Sequence, residues 1–313
     1  MTFNIRKHHF LGILLFFLLC FTFSGCSGKV APEKNDKLQI VTSIFPIADI
    51  IKNVGGNEVD VKQLVQPGQS PHTYEPLPKD MIAVSKADIF AVVGLGLEFW
   101  SDKMLGNVQN DRLIKIVYAD HIAPLKEQEE HISDHEESEH HHGMYDPHIW
   151  LSPKNAIIIA EVTRDALVEA KPSKKDYFIN RCKTYVNSLN ELDRWVTSET
   201  RLFSHKEFIA FHPAWGYLAK DYGLKQIAAI EESPGKEITP EKLSSLIKQI
   251  KSHNLNAIFS EPQFNPKTVE ILASEANIKV LVLDPIGSPE SSDRNNYINL
   301  IKTNVEVMRK ALQ

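Results

Sequence analysis

Residues 172–201 read PSKKDYFINRCKTYVNSLNELDRWVTSETR, and this stretch decides how the rest of the chain is organised. Its apolar side chains recur at alternating intervals of four and three residues, which is the period of one face of an α-helix. The stripe comprises Phe178, Cys182, Tyr185, Leu189, Leu192 and Val196. Glycine and proline are absent from residues 173–201. The pattern therefore predicts a single helix of about 28 residues, roughly 40 Å long.

Short runs rich in β-branched residues lie on both sides of this stretch. Four candidate strands precede it and four follow it: Leu38–Ile44, Val59–Val65, Asp88–Val93, Ile114–Tyr118, Phe208–Phe211, Gln226–Ile230, Ala257–Ser260 and Lys279–Leu283. Their alternation with helical patterns indicates an α/β fold of βαβ units with mainly parallel sheets. The long helix would pack on one domain if it were an ordinary surface helix. Its length and position instead favour a rigid helix that links two lobes. The linking helix would comprise residues 172–201, the N-terminal lobe 38–171 and the C-terminal lobe 202–313.

The first 26 residues are typical of a bacterial lipoprotein signal. Arg6 and Lys7 precede an apolar run from Phe10 to Phe23. This run is shorter than the roughly 20 residues of a membrane span, but it fits the apolar region of a secretory signal. Small residues then lead directly to Cys26, as in a lipobox. We predict a signal peptide over 1–26 and lipid on Cys26, which would tether the protein to the membrane outside the cytoplasm. A plain signal peptide cleaved elsewhere is the alternative.

The composition and charge of the chain exclude some classes of function. The chain has 313 residues, of which 42% are hydrophobic and 24% charged, as in ordinary globular proteins. The net charge of −5 argues against a nucleic-acid partner, which would leave a basic footprint. Residues 27–37 are small, charged and without pattern, which predicts a flexible tether. Once the signal is removed and Cys26 carries lipid, Cys182 is the remaining cysteine. We therefore expect no intramolecular disulfide, and we expect a monomer.

Residues 126–142 read KEQEEHISDHEESEHHH and differ in kind from the rest of the chain. They contain His131, His135, His140, His141 and His142 among acidic residues. The stretch has no apolar periodicity, so we predict a loop without a fixed fold in the N-terminal lobe. It would be a solvated charge run in the simplest interpretation. Interleaved imidazoles and carboxylates also fit an auxiliary, weak metal-collecting tract.

Four proline-framed motifs each carry one candidate ligand. They are PHTYEP with His72, DPHIWLSP with His148, FHPAWGY with His212 and LDPIG with Asp284. Ligand groups of open α/β sheets gather beyond the carboxyl ends of the strands, so two facing lobes would bring all four into one interlobe cleft. Three imidazoles and a carboxylate match the ligands of a tetrahedral zinc site. The close ligand pairs of a zinc finger and the His-Glu-x-x-His of a metalloprotease are absent from the sequence.

These motifs, in this order and with the His-rich stretch and the lipobox, resemble the metal-specific solute-binding lipoproteins of ABC transporters, in particular the zinc-uptake branch (ZnuA/TroA-like). The resemblance implies two α/β lobes joined by one long helix, with Zn²⁺ bound between them by His72, His148, His212 and Asp284. It also implies delivery of the ion to an ABC permease and its ATPase. Manganese-handling relatives typically carry Glu at position 212, and imidazole suits zinc.

Several alternatives remain open at this stage. Glu261 ends a predicted strand of the second lobe, and either it or a water could be the fourth ligand in place of Asp284. Glu261 could instead orient His212 from outside the coordination sphere. A manganese receptor of the same family and a surface adhesin or metal-buffering lipoprotein are the alternative functions. A metalloenzyme is disfavoured, because the sequence offers a fourth protein ligand and lacks a nucleophile or base motif.

Overall fold

A computed structural model describes residues 37–126, 145–231 and 238–313. The strands are β1 (Leu38–Thr42), β2 (Val59–Gln63), β3 (Ile89–Val92), β4 (Ile114–Val117), β5 (Glu207–Ala210), β6 (Lys225–Ala229), β7 (Ala257–Ser260) and β8 (Lys279–Val282). The α-helices are α1 (Phe45–Gly55), α2 (Pro78–Ser85), α3 (Ser101–Gly106), α4 (Pro153–Ala170), α5 (Lys175–Arg201), α6 (Gly216–Tyr222), α7 (Pro240–Ser252), α8 (Lys267–Ala276) and α9 (Tyr297–Leu312). Short 3₁₀ turns include Pro71–Thr73, Ile149–Leu151 and Pro172–Lys174.

All the strand pairs are parallel, as the βαβ pattern predicts. The first four strands form one sheet in the order β2-β1-β3-β4. In the second half β5 pairs with β6, and β7 pairs with β8. The rings of Phe208 on β5 and Phe259 on β7 meet edge to face with centroids 5.9 Å apart, which brings these two pairs of strands together. The α/β fold class is thus confirmed.

Strand ends are where sequence and structure differ most. Strand β1 ends at Thr42, two residues earlier than predicted. The cause is local, because Ile44 is already the residue that precedes α1, and Pro46 occupies the first turn of that helix. Proline suits the first turn since the N–H that it lacks would have no partner within the helix. The apolar residues after β1 are therefore buried as part of the entry to α1.

The predicted long helix is present as α5, preceded by the 3₁₀ turn Pro172–Lys174. Its buried side chains are the predicted stripe and one further residue: Phe178, Cys182, Tyr185, Leu189, Leu192, Val196 and Thr200. The stripe packs against α1 and α4 from the first half of the chain and against α6 and α9 from the second. Each large apolar side chain buried in this way contributes roughly 1.5–3 kcal/mol. The helix is therefore held on both sides by packing, as a rigid link requires.

Some sequence predictions fall outside the described residues. These are the signal and lipidation site, nearly all of the tether, and all five histidines of the His-rich stretch. Lys126, the first residue of that stretch, pairs with Tyr145 in an isolated antiparallel bridge. The division into lobes over 38–171 and 202–313 stays a prediction. Within the described ranges, no helix combines the length and the apolar character that crossing a membrane requires.

Candidate metal centre

Three imidazoles converge at one point. The Nε2 atom of His148 lies 3.1 Å from Nε2 of His72 and 3.2 Å from Nε2 of His212. His148 and His212 are buried, whereas His72 is half-buried. Within 37–126, 145–231 and 238–313, this is the one group of three or more His, Cys, Asp or Glu side chains with the spacing of metal ligands. The structure thus brings together three of the four residues that the motifs predict.

Proline-framed turns position these histidines. His72 lies in the 3₁₀ turn Pro71–Thr73, where its backbone N–H donates to the Ser70 hydroxyl at 3.3 Å. His148 comes directly before the turn Ile149–Leu151, and His212 comes two residues after the end of β5. His212 therefore lies beyond the carboxyl end of a parallel strand, where ligand groups of such sheets gather.

Asp146 holds the ring of His148. Its Oδ1 accepts a hydrogen bond from the His148 backbone N–H at 2.8 Å and lies 2.8 Å from the ring Nδ1. Gly216 leaves room for this carboxylate, because a Cβ there would approach Asp146 Oδ2 to 2.5 Å. Burial raises the pKa of Asp146 to about 7, against the opposing effects of the His148 N–H and the charge of His212. Asp146 is a functional residue that the sequence motifs did not single out, although the spacing Asp-Pro-His was a usable signal.

Glu261 holds the ring of His212 in the same manner. It directly follows β7, and its Oε1 lies 2.6 Å from the His212 Nδ1 and 3.4 Å from the backbone nitrogen. The sequence left open whether Glu261 is the fourth metal ligand or a group that orients His212. Its contact with the His212 ring corresponds to the orienting role. Gln226 steadies the same turn, since its amide donates to the His212 carbonyl oxygen at 2.9 Å.

The two buried imidazoles have opposite pKa shifts. Burial, and then the charge of His212, hold the pKa of His148 well below its usual value. Burial also lowers the pKa of His212, but the charge and hydrogen bond of Glu261, together with Asp146 and Glu231, outweigh it and raise that pKa. Protons therefore compete less with a metal ion for His148 than for His212.

The geometry fits a zinc ion. The carboxylates of Asp146 and Glu261 lie at Nδ1 of His148 and His212. They favour the tautomer of each ring in which Nδ1 carries the proton and Nε2 offers a lone pair. A tetrahedral ion with Zn–N bonds of about 2.0–2.1 Å separates its nitrogens by about 3.4 Å. The nitrogen separations of 3.1 and 3.2 Å come close to this value. Neutral imidazoles that face one another at this distance are well suited to a divalent cation.

Asp284, the predicted fourth ligand, lies outside the three-histidine group of the described residues. Its Oδ1 accepts hydrogen bonds from the backbone N–H groups of Ile286 and Gly287 and from the Gln263 amide, each at 3.0 Å. Its Oδ2 lies 3.3 Å from Nη1 of Arg294. Both oxygens therefore have partners within their own half of the protein, and the structure does not bring this carboxylate to the histidines.

The three histidines border a small cavity. The cavity measures about 10 Å³, room for about one water molecule, and its walls include His72, His148, Trp150, Glu261, Gln263 and Phe264. The Trp150 ring lies 5.3 Å from that of His148, and its Nε1 donates to the Pro285 carbonyl oxygen at 2.7 Å. Trp150 thus ties the turn that carries His148 to the turn that follows Asp284, and it shields the histidines from water.

Two α/β halves, a long connecting helix and a three-histidine cluster are features of the metal-binding receptors of the solute-binding class. A family model described as zinc-uptake complex component A, periplasmic (ZnuA) matches residues 40–311. The chain belongs to this family. Its members are metal-binding receptors rather than enzymes, in agreement with the sequence prediction.

Relatives and solved structures agree with this assignment. The zinc-binding lipoprotein AdcA of Streptococcus pneumoniae is 33% identical over 303 residues, which are 95% of this chain and 60% of AdcA. The chain therefore spans about three-fifths of the length of that relative. A crystal structure of ZnuA superposes with a TM-score of 0.77 at 31% identity and covers 88% of this chain and 99% of that one.

Two further similarities concern other ligands. The manganese-binding lipoprotein MntA of Halalkalibacterium halodurans is 28% identical over 310 residues, which are 94% of this chain and 98% of MntA. A laminin-binding adhesin (Lmb) of Streptococcus agalactiae has a mutant structure with a TM-score of 0.76 at 27% identity, covering 88% of this chain and 100% of that one. One fold thus serves proteins named for zinc, manganese and laminin, so the choice among these functions depends on the site.

Proposed function

We propose that this protein is an extracytoplasmic zinc-binding receptor that captures Zn²⁺ and delivers it to an ABC-type membrane permease. In this role zinc is the transported cargo. His72, His148 and His212 bind it, and Asp146 and Glu261 orient two of these ligands. The observation that carries the proposal is the convergence of three Nε2 atoms, with neighbouring distances of 3.1 and 3.2 Å.

The donor set supports zinc over manganese. The converging atoms are three imidazole nitrogens, whereas Mn²⁺ favours oxygen ligands and a higher coordination number. His212 is the position that separates the two alternatives. Changing His212→Glu should shift the preference toward Mn²⁺ and should leave the fold intact.

Delivery to a permease is supported by family membership, because the matched family is described as a component of a zinc-uptake complex. A lipid on Cys26 would keep the receptor beside such a permease. Adhesion would be an additional role of the same surface-tethered protein, since it requires no change in the cleft. A growth defect confined to metal-poor medium would favour transport.

The test is a calorimetric zinc titration of purified protein, first stripped of metal. Wild type should bind one zinc tightly through the three histidines. Each of His72→Ala, His148→Ala and His212→Ala should weaken that binding by more than about 100-fold, which exceeds the usual effect of removing an outer-sphere partner.

His253→Ala is the matched control. His253 is exposed, and its Nδ1 lies 2.6 Å from a Glu207 carboxylate oxygen, the same separation as between His212 and Glu261. This variant removes a carboxylate-paired imidazole away from the cluster and should bind zinc like wild type. If all three cluster variants bind one zinc as tightly as wild type, the assignment is wrong.

A further inference from the structure

Tyr297 connects the second half of the chain to the turn that follows His148. It is the first residue of α9 and is fully buried. Its hydroxyl donates to the Trp150 carbonyl oxygen at 2.7 Å. Trp150 lies in the 3₁₀ turn Ile149–Leu151, which begins directly after His148. A hydrogen bond from the second half of the chain therefore reaches the backbone two residues away from a ligand of the first half.

The first half of the chain also holds the backbone of Tyr297. The Tyr297 N–H donates to Asp49 Oδ2 at 2.9 Å, and Asp49 lies on α1. The first N–H groups of a helix have no partner within the helix, and they form the positive end of its dipole. A carboxylate from another element satisfies one of them and fixes the point at which the helix begins. Asp49 therefore helps to fix the place of the Tyr297 hydroxyl.

The indole of Trp150 makes a second bond to the other half of the chain. Its Nε1 donates to the Pro285 carbonyl oxygen at 2.7 Å, and the Trp150 side chain is fully buried. Its ring centroid lies 5.3 Å from that of His148. Breaking a buried hydrogen bond leaves polar groups without a partner, which is costly. The contacts that join Asp49, Tyr297, Trp150 and Pro285, here called the Tyr297 joint, therefore favour one arrangement of the His148 turn.

The zinc site needs such a joint because its ligands come from both halves of the chain. His148 belongs to the first half and His212 to the second, and their Nε2 atoms lie 3.2 Å apart. Asp146 orients His148 and Glu261 orients His212, but each carboxylate belongs to the same half as its histidine. These two pairs therefore set the orientation of each ring, whereas contacts between the halves must set the separation of the rings.

We propose that Tyr297 is a positioning residue for zinc binding, which holds His148 at the separation from His212 that a bound ion requires. It acts through Trp150 rather than as a ligand. This inference rests on the proposed zinc-receptor function and deepens it. Without the hydroxyl, the His148 turn is less firmly held against the second half, so a bound zinc ion should leave faster. The association rate should change little, since altered contacts act mainly on dissociation.

The test uses Tyr297→Phe, which removes the hydroxyl and keeps the ring. Zinc dissociation, followed as transfer to an excess of a colorimetric chelator, should become about 10-fold faster. This is the lower end of the range for outer-sphere partners, because Ser152 also bonds Asp221 of the second half. The absorption spectrum of bound Co²⁺ depends on the geometry of its ligands and should change too. A residue that only stabilised the fold would leave this spectrum unchanged.

Tyr118→Phe is the matched control. Tyr118 is also fully buried, and its hydroxyl lies 2.8 Å from Oγ1 of Thr163, so both partners belong to the first half of the chain. This variant should lose thermal stability as Tyr297→Phe does, but its zinc dissociation and Co²⁺ spectrum should match those of wild type. Thermal melts followed by circular dichroism establish which variants fold. Should Tyr297→Phe not fold, Asp49→Ala removes the other contact of the joint from a half-buried position and should also speed zinc dissociation.

Three results would overturn the proposal. The first is a folded Tyr297→Phe variant in which the zinc dissociation rate or the Co²⁺ spectrum is unchanged. The second is an equal change in Tyr118→Phe. The third, where Tyr297→Phe does not fold, is a wild-type dissociation rate in Asp49→Ala. Each is compatible with a wild-type protein that binds one zinc through its histidines. Failure of the zinc-receptor function would look different, because wild type would then bind no zinc, or the three His→Ala variants would bind zinc as wild type does.

Discussion

Glu261 gives His212 two properties that oppose each other in metal binding. The carboxylate at 2.6 Å makes the imidazole a more basic, better oriented ligand. The same negative charge helps raise the pKa of His212 above its ordinary value, so a proton occupies the ring more readily. Metal and proton therefore compete for this nitrogen at a higher pH than at an unperturbed imidazole, whose pKa is about 6.5.

This competition predicts the behaviour of Glu261→Gln. In wild type, zinc affinity should begin to fall while the pH is still above about 6.5, because zinc requires the neutral ring and the His212 pKa is raised. In the variant the largest raising effect, the charge of Glu261, is gone while burial still lowers the pKa of His212, so the fall should begin at lower pH. At pH 8 the variant should bind zinc about 10- to 100-fold more weakly, and this difference should shrink as the pH falls.

Zinc affinity measured as a function of pH by competition calorimetry checks this prediction. Glu207→Gln is the control, since Glu207 makes an equally short contact with the exposed His253. Its profile should match that of wild type. Parallel profiles for wild type and Glu261→Gln would contradict the assigned effect of Glu261 on His212.

The sequence predicts the site residues that local turns position, but not the contacts that form only when distant parts of the chain meet. His72, His148 and His212 could be found because local turns framed by proline place them, and such turns are visible in the sequence. The role of Asp146 was visible only in part, as the spacing Asp-Pro-His, because which ring its carboxylate meets depends on the folded chain. Asp284 shows the limit of the motif argument, since its turn was found but its carboxylate bonds its own backbone and Arg294.

For helices and strands, the sequence pattern predicts that an element is present better than it predicts where the element ends. All eight predicted strands are present among the described residues, because runs of β-branched residues mark them, and α5 follows from the apolar stripe along its buried face. The strand ends depend instead on where the next element begins, as Ile44 and Pro46 show for β1 and α1. The sequence pattern does not predict the contacts between the two halves of the chain. Tyr297, for example, donates from its hydroxyl to the Trp150 carbonyl oxygen at 2.7 Å.

The His-rich stretch is the element whose role composition alone suggests. Its imidazoles follow no fold pattern, so a zinc ion bound there would have to offset the entropy of ordering the chain. The ligands of the cleft are already held by packed turns and by Asp146 and Glu261. Deletion of the stretch should therefore leave one tight zinc per protein and remove only weaker equivalents.

The antiparallel bridge between Lys126 and Tyr145 shows how to make this deletion. Removing residues 127–142 leaves Gly143 and Met144 as a two-residue connection between the bridge partners. Two-residue hairpin loops with glycine in first position are favourable, so the flanking structure should be kept. A calorimetric zinc titration checks the result. Loss of the tight phase, with the fold intact by circular dichroism, would make the stretch the principal site.

For the whole molecule, function as a receptor requires that the metal-binding unit stay near the membrane. Residues 37–313 form one compact unit that contains the three-histidine cluster. The sequence places the predicted attachment at Cys26, separated from this unit by the rest of the predicted tether. Attachment and zinc binding therefore involve different parts of the chain, and substitutions should affect them independently.

Cys26→Ala should separate the two properties. Several acyl chains hold a protein at a membrane stably, whereas one binds only marginally. The variant should therefore leave the membrane fraction or keep its signal uncleaved, and once purified it should still bind one zinc tightly. Cys182→Ala is the control, because Cys182 is buried on α5 and should not affect attachment. Membrane fractionation with mass spectrometry of the N-terminal peptide measures the outcome. An unmodified Cys26 in membrane-bound wild-type protein would refute the anchor, and the zinc titration of the same sample would show whether the cleft functions without it.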